Sequence, residues 1–240
     1  MIRGGFSVLG LLAAASPALS GEATLAVAAN FLSTAEALVA AYENDSGHEI
    51  TVAHGSSGRL FAQIVNGAPF DVFLSADAAR PEALEAQGRT LAREVYAYGR
   101  LVLVSEAPIT GDLATALKTA RVALADPAVA PFGLAAAEVI SEAGLSLDRI
   151  DAVYGDSVGQ VAALWSTGNA DLAFLAASQL AVLDADAATM ALEGRHAPIR
   201  QEAVLLARAA DNTAARGFFE FLQSGTAGAL IVASGYALPE

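Results

Sequence analysis

Two adjacent serines, Ser56 and Ser57, lie between Gly55 and Gly58, with His54 before them and Arg59 after. A serine on a tight strand-to-helix turn can attack an acyl or phosphoryl centre when a histidine takes its proton. It can also hold an anion, because the first turn of a helix carries unpaired N–H groups and a partial positive charge. The hydrolytic turn calls for G-x-S-x-G, and Gly55-Ser56-Ser57-Gly58 is one residue short of it. The one histidine further along the chain is His196, in a surface-like polar stretch, and His54 reads as the polar end of a strand. An exported hydrolase using Ser57 is therefore the weaker reading. The phosphate loop G-x-x-x-x-G-K-[ST] does not occur, since Lys118, the sole lysine, sits in no glycine loop. Nor does C-x-x-C, H-E-x-x-H or an acidic calcium loop, so neither a direct metal-cation site nor a resident cofactor is expected.

Three more turns share the anion-holding character: "AANF" at Asn30, "APFG" at Phe132 and "GDSVG" at Ser157-Val158. Two of the four starts precede the strand-like run Tyr98–Pro108 and two follow it. For each one alone the competing reading is ordinary capping, with Asn30, Ser57 and Ser157 satisfying their own helices.

The elements that must position these turns alternate along the chain, which predicts an α/β fold with mostly parallel strands. Thr24–Ala29 predicts a buried strand. Phe31–Gly47 predicts a helix with apolar residues at Phe31, Leu32, Ala35, Leu38, Val39 and Tyr42. "HEITVAHG", "FDVFLSA", "RVALADP", "IDAVYGD", "ADLAFLA" and "IRQEAVLLARA" read as strands. "RLFAQIVNG", "PEALEAQG", "FGLAAAEVISEAG", "SVGQVAALWSTG", "NTAARGFFEFLQSG" and "TAGALIVASGY" read as helices, and Tyr98–Pro108 reads as one strand. The recurring object is a strand, a small-residue turn and a helix start.

The chain has 240 residues, 55% of them hydrophobic, enough for a well-buried core in one or two domains. Its net charge of −13 argues against nucleic acid and anionic membrane surfaces, which demand a basic face. Residues 1–20 read as a cleaved export signal: Arg3 supplies the positive end, Phe6–Ala15 the apolar stretch, and Ala18-Leu19-Ser20 a small-x-small cleavage site. The apolar stretch is shorter than the roughly 18 residues a span needs. With no cysteine, the chain has neither disulfides nor a lipid tether. A soluble, monomeric, periplasmic protein is expected.

"VAANFLSTAEAL", "GSSGRLFAQIVNGAPFDVFLSAD", "ADPAVAPFGLAA" and "GDSVGQVAAL", in this order, resemble the periplasmic molybdate-binding proteins of ABC importers, from about Ala23 to Tyr236. The resemblance implies the two-lobed type II periplasmic-binding-protein fold, with two hinge crossings near Tyr98–Val104 and Arg200–Val204. Lobe 1 would be 21–100 plus 201–240, and lobe 2 would be 101–200. It implies capture of molybdate or tungstate for a membrane permease, not catalysis, with sulfate or another small anion as the alternative cargo. Residue by residue, it puts Asn30, Ser57 and the backbone N–H groups of Phe132 and Val158 on the oxyanion, with Ala29 and Ser56 as secondary candidates. Some members place a tyrosine hydroxyl on the oxyanion from a segment like "ADLAFLAAS", where this chain has Ala176. Arg59 is expected to stay solvated at the rim, and Asp156 to face away and cap its helix.

Overall fold

The structure, a computed structural model, describes residues 21–183 and 187–239; the expected export signal at 1–20 lies outside them. The chain opens with strands β1 (Glu22–Ala28), β2 (Glu49–Gly55), β3 (Val72–Ser75) and β4 (Thr90–Gly99). It continues through β5 (Leu101–Ser105), β6 (Arg121–Ala125), β7 (Asp151–Gly155), β8 (Leu172–Ala176) and β9 (Ala188–Ala191), and returns in β10 (Ile199–Leu206). They form two five-stranded sheets, in the orders β2-β1-β3-β10-β4 and β7-β6-β8-β5-β9. In each, three strands pair in parallel and the other two join through antiparallel pairs, so that one strand, β10 or β5, runs against the other four and the sheets are mixed. The result is a two-lobed α/β fold.

Helices cover the sheets because the strands are apolar on both faces: β3, β5 and β8 are buried along their whole length. In the first lobe α1 (Leu32–Ser46), α2 (Ser57–Val65), α3 (Ala79–Ala86), α7 (Thr213–Phe221) and α8 (Gly225–Ala233) do this. The second lobe uses α4 (Leu113–Thr119), α5 (Pro131–Glu142) and α6 (Val158–Ser166). Each lobe has its own core, one around Leu25, Phe31, Leu38 and Phe218, the other around Leu103, Leu124, Phe132 and Phe174. Ala28 and Ala76, at the ends of β1 and β3, pack with the second lobe's core, so the lobes meet there.

The structure departs from the sequence expectation at the crossings. The run Tyr98–Pro108 is not one strand: β4 ends at Gly99 in the first sheet, and β5 begins at Leu101 in the second. A continuous β pattern is silent about a change of partner. The chain returns through residues 192–198, since Ile199 already pairs with Gly99, so Arg200–Val204 lies inside β10. Most of β4, α4 and β9 were not expected. Arg93 and Glu94 interrupt the apolar signal of β4, where Arg93 pairs with Glu85 and buried Glu202. The seven residues of α4 are too few to show a helical period, although Asp112 caps it by accepting from the Thr115 N–H.

Glu94 carries a pH dependence. Its Oε1 is buried without a partner among the described residues, and burial, outweighing a bond from Gln223, pushes the carboxyl pKa up. A folded-state pKa above the unfolded one makes the charged form a cost to stability at neutral pH. That cost fades as the pH falls through the raised value. Glu94→Gln is expected to raise the melting temperature at about pH 7–8, with the gain shrinking toward about pH 4 in calorimetric scans. An equal gain at both ends of the range would contradict this reading.

Candidate functional site

The parallel strands of both sheets end at one place. The last pairs of the first sheet are Ala28 with Gly55 and Val27 with Leu74; in the second, Ala125 pairs with Gly155. Beyond these carboxyl ends an α/β sheet opens the crevice in which ligands are held. The segments that leave them are a 3-10 turn at Ala29–Phe31 and the starts of α2, α5 and α6.

These four starts surround one small cavity of about 10 Å³. Its lining includes Ala29, Asn30, Ser56, Ser57, Phe132 and Val158, together with Ser157 and Ala76. The structure thus brings the six candidate ligand residues together, from both lobes. The enclosure is on the scale of an inorganic ion, not of an organic ligand.

The helix starts answer the question of capping. Among the described helices, α4, α7 and α8 are capped by side chains: Asp112, Asn212 and Ser224 accept from the Thr115, Ala215 and Ala227 N–H groups. At all four starts around the cavity no side chain caps. Some of the first-turn N–H groups there are left without a partner among the described residues. At α5, Pro131 has no N–H, and Gly133 and Leu134 donate to the Ala130 carbonyl, which leaves Phe132 as the free donor. At α6, Gln160 and Val161 donate to the Ser157 carbonyl, which leaves Val158 as the free donor on the cavity lining.

The two serines differ. Ser57 Oγ accepts from the Ala76 N–H at 2.9 Å, so its own proton remains to be donated. Ser56 Oγ is buried with no partner among the described residues. A buried unpaired hydroxyl is costly unless something joins it. Ser56→Ala is therefore expected to leave the ligand-free melting temperature unchanged or slightly raised while weakening anion binding by about 1–3 kcal/mol. A parallel loss of stability would show that Ser56 has a structural partner.

Asn30 does not donate through its side chain. Both Nδ2 hydrogens are taken, by Gln201 Oε1 at 2.9 Å and Tyr236 Oη at 3.0 Å. Its main-chain carbonyl accepts from Tyr236 Oη at 2.6 Å and from Ser178 Oγ of the second lobe at 2.9 Å. Tyr96 Oη also meets Gln201 Oε1, at 3.0 Å. Phe31 packs edge-on against both tyrosine rings, 4.7 and 5.1 Å away, which fixes the hydroxyls. What this turn offers the cavity is its N–H groups. Burial holds both tyrosines protonated well above the usual phenol range, so the network stays intact through neutral pH. Sequence reasoning missed Gln201, Tyr96, Tyr236 and Ser178, because they sit in the middle of β10 or β4 or in unremarkable loops, and only the fold collects them.

The charges stay outside. No ionisable residue lines the cavity among the described residues. Glu202, beside Gln201 on β10, is buried but bonded to both Arg93 and Arg200. The bonds to Glu202 and Glu85 raise the Arg93 pKa further, so the guanidinium stays charged. Asp156 is absent from the lining, but it does not cap α6: its carboxylate pairs with Arg59 at 2.6 Å. Both side chains are about half exposed, so this bridge at the rim contributes little, about 0–1 kcal/mol. Ala176 is buried at the end of β8, outside the lining. Neither His54, which is exposed, nor His196, which contacts the Ala197 carbonyl, lines the cavity, so no histidine there can take a proton from Ser57.

Residues 23–237 match the family described as bacterial extracellular solute-binding protein. The chain is 39% identical to the molybdate-binding protein ModA of Rhodobacter capsulatus, over 98% of this chain and 96% of that one. It is 38% identical to ModA of Azotobacter vinelandii, over 95% and 94% respectively. The solved periplasmic molybdate-binding protein of Azotobacter vinelandii superposes with a TM-score of 0.84 at 36% identity, covering 91% of this chain and 100% of the other. The sulfate-binding protein SubI of Mycobacterium tuberculosis shares the fold, with a TM-score of 0.77 at 13% identity, 92% of this chain and 88% of that one. With a two-lobed fold and a donor-lined cavity between the lobes, this chain belongs to the bacterial extracellular solute-binding protein family.

Proposed function

We propose that the protein captures molybdate, or the isosteric tungstate, in the periplasm and delivers it as a monomer to the membrane permease of an ABC importer. The observation that carries the reading is the contrast in capping. Helices α4, α7 and α8 satisfy a first-turn N–H group with a capping side chain, whereas the four starts that converge on the cavity from both lobes have no such cap and leave N–H groups for a ligand. The kinship with molybdate-binding proteins at 38–39% identity supports the choice of cargo.

The donors are the N–H groups at Ala29-Asn30, Ser57, Phe132 and Val158, with the hydroxyls of Ser56 and Ser57. Neutral donors suffice for a dianion because helix starts concentrate partial positive charge at short range. The overall negative charge of the protein acts on approach, not on the bound ion. A site without a carboxylate suits an oxyanion that carries no proton. Monohydrogen phosphate brings a proton that needs an acceptor, and leaving it unpaired costs about 1–3 kcal/mol. Size separates sulfate from the larger molybdate.

Thermal melting tests this. Molybdate or tungstate at about 100 times its dissociation constant should add about 2.7 kcal/mol of stability. Sulfate should add less and phosphate least. Because no ionisable residue lines the cavity among the described residues, the molybdate shift should be flat between about pH 6 and 9. A tight phosphate complex would mean that an acceptor faces the ion, and sulfate ahead of molybdate would reassign the cargo.

A further inference from the structure

We propose that Gly58 determines whether the lobes can close on the ion, because at this point of α2 the first lobe's backbone touches the second lobe's backbone. The inference rests on the reading of the cleft as an oxyanion site.

Gly58 lies in the first turn of α2, next to Ser57, and its N–H donates to the Val129 carbonyl at 2.9 Å. Val129 belongs to the second lobe, in the segment between β6 and α5 that carries Phe132 into the cavity. A Cβ built on Gly58 would stand 2.8 Å from the Val129 carbonyl oxygen and 3.0 Å from its Cα. These are main-chain atoms and cannot swing aside. The third neighbour, Arg80 Nη2 at 2.9 Å, ends a flexible side chain and can move. Gly58 therefore owes its lack of a side chain to the partner lobe: within its own helix an alanine fits and favours the helical state.

The consequence is specific. An alanine here is harmless to each lobe taken singly and obstructs only their approach. Ser57 and Phe132 sit one and three residues from the two touching points, so a gap of a few tenths of an ångström there is transmitted to donors from both lobes at once. The arrangement also makes the Arg59–Asp156 bridge, at the next residue of α2, a follower of closure and not its cause, since both side chains are long and half exposed.

The α6 start supplies a matched control. Gly159 occupies the same second position of its helix, but a Cβ there would meet only Ser157 Oγ at 3.7 Å and Ala29 Cβ at 3.9 Å, ordinary contact distances. Gly159→Ala makes the same chemical change at the cleft without the clash.

The experiment compares the parent, Gly58→Ala and Gly159→Ala, using whichever of molybdate, tungstate and sulfate the parent binds most tightly. Gly58→Ala is expected to melt without ligand at or slightly above the parent temperature and to bind at least about tenfold more weakly, mostly through faster release. In X-ray scattering at saturation it should keep a larger radius than the liganded parent. Gly159→Ala should bind and compact like the parent. Parent-like affinity and compaction in Gly58→Ala overturn the inference and leave the oxyanion reading standing. A lowered ligand-free melting temperature overturns it as well, by showing that the glycine serves its own lobe. A parent that binds none of the three anions overturns the oxyanion reading and this inference with it.

Discussion

Ser57→Asp is expected to abolish oxyanion binding, a loss of at least about a thousandfold in affinity. The side chain is almost fully buried and stands at the cavity wall. A carboxylate there replaces a donor with an acceptor and faces a dianion. At roughly 4 Å and an effective dielectric of about 20, each pair of unit charges repels by about 4 kcal/mol, and the dianion doubles that. The fold should survive, because an aspartate oxygen can accept from the Ala76 N–H as the serine does, and a negative charge suits a helix start. Ser57→Ala behaves differently. It loses one ligand donor and also strands the Ala76 N–H, so both affinity and ligand-free stability should fall, each by about 1–3 kcal/mol. Calorimetric titration with circular dichroism as the folding control separates the two. Parent-like molybdate binding by Ser57→Asp would show that the serine does not touch the ion.

Gly133→Ala is expected to produce the largest loss of stability of any glycine-to-alanine change at the cleft. A Cβ there would lie 2.2 Å from the Ala125 carbonyl oxygen and 2.7 Å from its carbon. Both sides of the clash are backbone, the last residue of β6 and the first turn of α5, so relief requires the helix to move off the sheet. Overpacking of this kind costs about 3 kcal/mol or more, which for a protein of this size lowers the melting temperature by about 6–12 °C. The Phe132 N–H moves with the helix, so affinity falls too. An unchanged melting temperature would mean that α5 does not sit this close to β6.

How much of this was legible beforehand depended on the kind of signal. The strand–turn–helix units announced themselves, because an apolar run, a small-residue turn and a helical period are local. So did the four helix starts at the ends of such units, whereas the six individual candidate residues came from the resemblance to molybdate-binding proteins. Hidden were the events that depend on partners. The switch of sheet between Gly99 and Leu101 leaves no mark in an unbroken β pattern. The role of Asn30 reversed for the same reason. Its amide looks like a donor for the ion until Gln201 and Tyr236, 171 and 206 residues away, are seen to take both hydrogens. Asn30→Ala thus strands a buried network in addition to disturbing the turn. Asp156 was read as a cap from its position before α6, yet Arg59 on the opposite lobe claims its carboxylate. Capping itself is a matter of side-chain direction, and sequence alone cannot tell a serine that caps from a serine that waits for a ligand.

The most direct measurement is an isothermal titration of the chain from Gly21 onward with molybdate, followed by tungstate, sulfate and phosphate under the same conditions. The account predicts one molybdate or tungstate per chain, weaker sulfate, and phosphate weakest of all. Absence of molybdate binding at millimolar concentration, or phosphate binding as tightly as molybdate, would contradict it.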